Sequence, residues 1–164
     1  MKSIYLIGFM GSGKTSVAKR LSEVLHVSLI DTDDLIEETY QTTIANIFAK
    51  SGEKTFRDYE TDILRKTPIK DRIISTGGGI IERQENIDWL KSNGIVIYLQ
   101  TSWQEIVHRL KDDSARPIWN NEQRDKKKML EKRDIKYKET ADYIIITDGK
   151  TPEMIVNELI TLIK

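Results

Sequence analysis

The chain is predicted to be an α/β protein of the three-layer, doubly wound kind: a five-stranded parallel sheet with helices on both faces. Three observations predict it. Five short segments, 4–7, 27–30, 73–74, 95–99 and 143–146, are apolar runs rich in Ile, Val and Leu without polar alternation, as strands buried on both faces should be. The stretches between them are long enough for crossover helices. The first segment also passes without a gap into a glycine-rich loop and then a helical pattern, which is the opening of a strand, loop and helix unit.

Taken in order, the first strand (4–7) leads through Gly8 to Thr15 into a helix over 14–25, where Val17, Ala18, Leu21, Val24 and Leu25 recur at helical spacing. The second strand ends in Asp31-Thr32-Asp33-Asp34, and helical patterns follow at 34–40, 44–50 and 52–66. The third strand runs into Thr76-Gly77-Gly78-Gly79, with a helix over 83–92 before the fourth strand. Helices are expected at 103–110, 121–139 and 152–163, the last opened by Thr151 as N-cap ahead of Pro152. Between two of them, residues 111–125 are mostly polar, and a long polar insertion in a domain of this kind is read as a mobile lid or a disordered loop, a lid being what a phosphoryl-transfer enzyme needs. No repeat or linker divides residues 1–164, so one domain is expected.

Composition narrows the chemistry. With 26 basic and 26 acidic residues the formal net charge is zero, so no global field recruits nucleic acid or an anionic membrane. No apolar run approaches the ~18 residues of a membrane helix, and Met1-Lys2-Ser3 meets the first strand directly, so no signal peptide is expected. The absence of cysteine removes disulfides and thiolate chemistry and suits a reducing compartment. A cytoplasmic, soluble protein is the resulting expectation; a monomer is expected too, though composition does not derive it. Chemistry must come from carboxylates, cations and backbone.

Gly8-Phe9-Met10-Gly11-Ser12-Gly13-Lys14-Thr15 fits the phosphate-loop pattern G-x-x-x-x-G-K-[ST]. Its physics is local: glycine-rich backbone turns N–H groups around a phosphate at a helix N-terminus, the lysine reaches the β- and γ-phosphates, and the Thr15 hydroxyl meets Mg²⁺. Gly11, Ser12, Gly13, Lys14, Thr15 and Ser16 are therefore nucleotide-binding candidates. In a parallel sheet ligands sit beyond the carboxyl ends of strands, which places the acids after the second strand beside this loop. One acid of the pair suits a water-mediated contact to Mg²⁺ and the other an attacking hydroxyl; the alternative is a helix cap from Thr32 or Asp34. Gly52-Glu53-x-x-Phe56-Arg57-x-x-Glu60 puts Arg57 and Glu60 one turn apart, which by itself describes an ordinary helix-surface pair. Three bare glycines at a strand end allow close approach of a ligand or simply a flexible turn. His26 and His108 lack a second ligand at metal spacing and read as surface residues. Trp89, Trp103 and Trp119 read as packing or interface groups.

These motifs, with Arg116-Pro117 and with Arg133 four residues before Tyr137, in this order and spacing, resemble the shikimate kinase family over nearly the whole chain. The resemblance implies the nucleoside monophosphate kinase-like, P-loop kinase fold. It also implies transfer of the ATP γ-phosphate to the 3-hydroxyl of shikimate on the way to chorismate and the aromatic amino acids. It assigns Lys14, Asp33 and Arg116 to catalysis, and Thr15 and Asp31 to Mg²⁺. Asp33, Arg57, Gly77, Gly78, Gly79 and Arg133 fall to shikimate, with an acceptor region near 32–60. Arg109 and Pro152 fall to adenine, and Arg116 is the arginine of the lid. Two departures stand out. Asp134 follows Arg133 directly and is expected to pair with it, weakening the clamp, and the segment 123–128 is unusually charged, leaving Arg124 as an alternative lid arginine. A kinase for another hydroxylated acid such as gluconate, or a degenerate nucleotide-binding homologue, are the rival readings. No N-K-x-D guanine motif is present to suggest a GTPase switch.

Overall fold

In the computed structural model, residues 1–110 and 123–163 are described. The expected lid, 111–125, falls mostly outside these residues, and Arg116, Trp119, the side chain of Arg124 and the expected helix start at 121 fall outside them too.

The element order is β1 (Ile4–Ile7), α1 (Lys14–Leu25), β2 (Ser28–Asp31), α2 (Thr32–Tyr40), α3 (Ile44–Lys66), β3 (Arg72–Ser75), a 3-10 turn (Ile80–Glu82), α4 (Gln84–Asn93), β4 (Ile95–Gln100), α5 (Trp103–Leu110), α6 (Gln123–Thr140), β5 (Tyr143–Ile146) and α7 (Pro152–Ile163). The sheet is parallel throughout, in the order β2-β3-β1-β4-β5. Its central strand, β1, is buried at every residue.

The two faces of β1 explain the layers. Tyr5 and Ile7 point into a core shared with Leu90 of α4 and Tyr137 of α6, while Ile4 and Leu6 point into one shared with Val17 of α1 and Val156 of α7. This alternation is why strands without polar positions form the sheet. A third cluster, including Ile36, Phe56 and Ile63, joins α2 to α3.

Several boundaries differ from the expectation for local reasons. The helix after β2 starts at Thr32 because Asp31, rather than Thr32 or Asp34, is its cap: Asp31 Oδ1 accepts from the amides of Asp33 (2.9 Å) and Asp34 (3.1 Å). The two helices expected around Gly52 are arms of one run, broken where Gly52 takes φ 84° and ψ 173°, a conformation glycine adopts without a Cβ penalty. α1, by contrast, ends at Leu25 as expected, closed by His26 in the left-handed region at φ 56°. The 3-10 turn at 80–82 carries no signal in the sequence; buried Ile80 and Ile81 hold it against the core. Thr151 caps α7 as expected, accepting at 3.2 Å from the amide of Met154.

Candidate active site

Three adjacent strands deliver the site. Leu6 of β1 pairs with Ser75 of β3, and Ser75 with Asp31 of β2, so the phosphate loop, the glycine triplet and the acidic segment leave the sheet side by side. Thr76 fastens the first two together: its amide and its hydroxyl both donate to the Leu6 carbonyl, at 3.2 and 2.8 Å.

The loop has the geometry of an anion cradle. Gly11 and Gly13 have φ 83° and 89°, and Ser12 N donates to Phe9 O at 3.1 Å to close the turn. Gly8 has no room for a side chain, since a β-carbon there would lie 2.8 Å from Ser12 Oγ and 2.9 Å from Leu99 O. The α1 N-terminus has no side-chain cap and no acidic residue in its first turn, so its positive end is left for a ligand. Lys14 Nζ lies over the loop, donating to Gly8 O at 2.6 Å and Phe9 O at 3.1 Å. Burial lowers its pKa to about 8 against the opposing pull of Asp33 and Asp31.

Each glycine of the triplet faces a different charged side chain. A β-carbon on Gly77 would meet Asp33 Oδ1 at 2.8 Å and Glu60 Oε2 at 3.3 Å; one on Gly78 would meet Arg133 Nη1 at 3.4 Å; one on Gly79 would collide with the Arg57 guanidinium. The triplet is thus bare because charged groups from α2, α3 and α6 cross it, a stronger requirement than turn flexibility. Its carbonyls accept from Ile80 N, Tyr137 Oη and Glu82 N. Among the described residues no backbone carbonyl accepts from its three amides.

Arg57 and Glu60 form a buried ion pair at 2.8 Å, with Glu60 only 1% exposed. The pairing on the helix is as the spacing predicts, but its burial is not that of a solvated surface pair. Burial raises the Glu60 pKa although Arg57 opposes it. Burial, then the Asp31 charge, raises Asp33 to about 6. Asp33 Oδ1, Arg57 Nε and Glu60 Oε2 are buried and have no hydrogen-bond partner among the described residues. Unpaired polar atoms in a native interior call for an explanation, and three converging on one cavity point to a polar ligand.

That cavity, about 660 Å³, is lined by Lys14, Thr15, Asp31, Asp33, Arg57 and Arg133 together with the triplet. Thr15 and Asp31 supply oxygen donors suited to Mg²⁺. Among the described residues no three His, Cys, Asp or Glu side chains gather at a metal site. The donor set therefore fits an ion that arrives on nucleotide phosphates rather than one held in a protein cage.

Arg109 lies on the other side of the loop, donating to Gly11 O (3.1 Å) and to the Thr147 hydroxyl (3.3 Å) while pairing with Glu105. It is thereby fixed between the phosphate loop and the segment that leads from β5 to exposed Pro152. The expected pairing of Asp134 with Arg133 is replaced by other partners. Asp134 accepts from Tyr98 Oη at 2.6 Å and pairs with Lys138, while Arg133 Nε donates to Glu82 Oε1 at 3.1 Å. Glu82 is the residue the sequence did not single out. His26 and His108 are exposed, and Trp89 and Trp103 pack against the core as expected.

A profile of the family described as shikimate kinase matches residues 10–164. The chain is 45% identical over 159 residues to a shikimate kinase of Bacillus cereus (strain AH187), covering 97% of this chain and 96% of that one. With the Thermodesulfovibrio yellowstonii shikimate kinase the identity is 42% over 163 residues, 98% of this chain and 94% of that protein. Among solved structures, shikimate kinase from Acinetobacter baumannii in complex with shikimate superposes with a TM-score of 0.90 at 37% identity, covering 99% of this chain and 93% of the other. Likeness of this extent, in sequence and in fold together, leaves one conclusion: the chain belongs to the shikimate kinase family.

Proposed function

We propose that the protein transfers the γ-phosphoryl group of ATP to the 3-hydroxyl of shikimate, with Mg²⁺, giving shikimate 3-phosphate and ADP for chorismate and aromatic amino acid synthesis. The observation that carries this reading is the single cavity in which Lys14 of the phosphate loop, the Asp33 carboxylate and the Arg57 and Arg133 guanidiniums meet. A nucleotide phosphate and a small anionic, hydroxylated acceptor are what such walls recognise.

Phosphoryl transfer passes through a loose transition state, so the protein contributes mainly alignment and positive charge. The loop amides and Lys14 hold the β- and γ-phosphates. Thr15, with Asp31 through water, would hold Mg²⁺, which neutralises phosphate charge and fixes the nucleotide. Asp33, with a pKa of about 6, is mostly ionised at neutral pH and accepts the hydrogen bond of the 3-hydroxyl, orienting it and drawing its proton as the bond to phosphorus forms. Arg57 and Arg133 take the acceptor carboxylate, for which the planar guanidinium fork is suited. Arg109 offers a flat cationic face to adenine, and Pro152 is assigned to adenine by its place in the motif order. Arg116, outside the described residues, is assigned to the transferring phosphoryl group by its place in the motif order alone.

An ADP-release assay with shikimate, quinate, gluconate or no acceptor tests the reading. Release that depends on shikimate supports it. Preference for gluconate selects another kinase of this fold, and equal release without acceptor selects a nucleotide-hydrolysing or binding module.

A further inference from the structure

Along α6 the buried positions are Leu130, Arg133, Tyr137 and Thr140, a stripe that faces the sheet and the 3-10 turn. A guanidinium in a core position is costly unless each of its edges is matched by a partner. The two edges of Arg133 are treated differently. Its Nε edge donates to Glu82 Oε1 at 3.1 Å, whereas Nη1 points toward the glycine triplet, 3.4 Å from where a Gly78 β-carbon would lie.

Arg57 has the opposite arrangement. There Glu60 takes Nη1 at 2.8 Å, and Nε remains buried without a partner. The cavity therefore receives two guanidiniums that offer different edges: Glu82 braces Arg133 at Nε, whereas Arg57 is held by Glu60 at Nη1 and by Glu53, 3.5 Å from Nη2.

We propose that Glu82 is a positioning residue for acceptor binding: by holding the Nε edge of Arg133 it turns the Nη end into the cavity, where that end meets the acceptor carboxylate. The proposal rests on reading this cavity as the shikimate site. The backbone under Glu82 is suited to the task, because Ile80 and Ile81 are fully buried, Glu82 N donates to Gly79 O at 3.0 Å, and Asn86 Nδ2 donates to Ile80 O at 3.0 Å. Tyr137, one turn beyond Arg133, donates to Gly78 O at 2.6 Å and keeps α6 in register with the triplet. The Glu82 side chain itself is 38% exposed. A pair with one member this exposed adds little to fold stability, so its effect should fall on binding.

The test compares wild type, Glu82→Ala, Glu82→Gln, Arg133→Ala and the Glu82→Ala/Arg133→Ala double variant in steady-state kinetics, varying shikimate and ATP separately, with a thermal melt of each. Glu82→Ala is expected to raise shikimate KM about tenfold, the loss of one charged hydrogen bond, while ATP KM changes little. Glu82→Gln, which keeps an acceptor oxygen, restores most of the loss, and the alanine has no further effect when Arg133 is already absent. An unchanged shikimate KM in Glu82→Ala overturns the proposal. So does an equal rise in both KM values, or the same penalty in the Arg133→Ala background. Failure of the underlying reading looks different: wild type without shikimate-dependent ADP release, or Arg133→Ala with wild-type shikimate KM, removes the acceptor site and the proposal with it. Should the alanine variant melt early, Glu82→Gln carries the comparison, and a penalty equal to that of alanine would count against the oxygen as the working group.

Discussion

Asp33 and Gly77 face each other so closely that a β-carbon on the glycine would stand 2.8 Å from Asp33 Oδ1. That oxygen has no hydrogen-bond partner among the described residues, so on this side the carboxylate rests against bare backbone. Gly77→Ala should push Asp33 aside, with overpacking costing about 1–3 kcal/mol. The expected outcome is a kcat at least about tenfold lower, since misalignment of an acceptor partner is felt in the chemical step, with the far-ultraviolet circular dichroism spectrum preserved. A wild-type kcat would show that Asp33 does not act from this position.

Asp33→Asn separates stability from turnover. The folded state raises the Asp33 pKa to about 6, first by burial and then by Asp31. The folded protein therefore binds this proton more tightly than the unfolded chain, whose value is about 4. The contribution is favourable at low pH and is lost as pH rises through about 6. At neutral pH the charge is a net cost, and its removal should stabilise the fold by about 1 kcal/mol after allowance for solvent screening. Denaturant unfolding at pH 7 should show this gain while kcat falls; a loss of stability instead would mean that the carboxylate has a partner in solution that compensates its burial.

How much of this was legible beforehand follows from how local each feature is. The phosphate loop is contiguous from Gly8 to Thr15, so its chemistry and geometry are written in one stretch, and the five strands carry unbroken apolar runs because both sheet faces are covered. Arg57 and Glu60 were visible as a helical pair, but not their burial, which depends on the triplet folding over them. The resemblance assigns Asp31 to the metal, and its capping of α2 emerges only when φ and ψ are known. Adjacency in sequence suggests that Asp134 pairs with Arg133, whereas successive helix side chains diverge by about 100°; Arg133 and Asp134 accordingly reach Glu82 and Tyr98. Glu82 stands 51 residues from its partner, a distance no local pattern spans.

The pH dependence of the reaction should have two limbs with separate origins. Turnover requires Asp33 ionised and Lys14 protonated, so kcat/KM for shikimate should fall below about pH 6 and kcat/KM for ATP above about pH 8. Asp33 is the principal charge that holds the Lys14 pKa up against desolvation. In the residual activity of Asp33→Asn the acid limb should therefore vanish and the alkaline limb move to lower pH. An alkaline limb that stays in place would separate the two groups electrostatically.

Arg57 tests the buried pair and the acceptor clamp in one position. Arg57→Lys keeps the charge but offers one ammonium where Nη1 now serves Glu60 and Nε is left over for a ligand. Shikimate KM should rise about tenfold or more while ATP KM changes little; a rise confined to ATP would move Arg57 out of the acceptor site. Arg57→Ala goes further and leaves Glu60, 1% exposed, without its cation, a change that typically costs about 3 kcal/mol or more. The sign of its pH dependence is fixed. Burial already raises the Glu60 pKa and Arg57 opposes that rise, so the alanine variant raises it further, and the penalty grows as pH climbs through the new value and shrinks as Glu60 takes up a proton. Urea unfolding should thus find a larger deficit against wild type at about pH 8 than at about pH 5. A deficit independent of pH would mean that Glu60 meets another cation once Arg57 is gone.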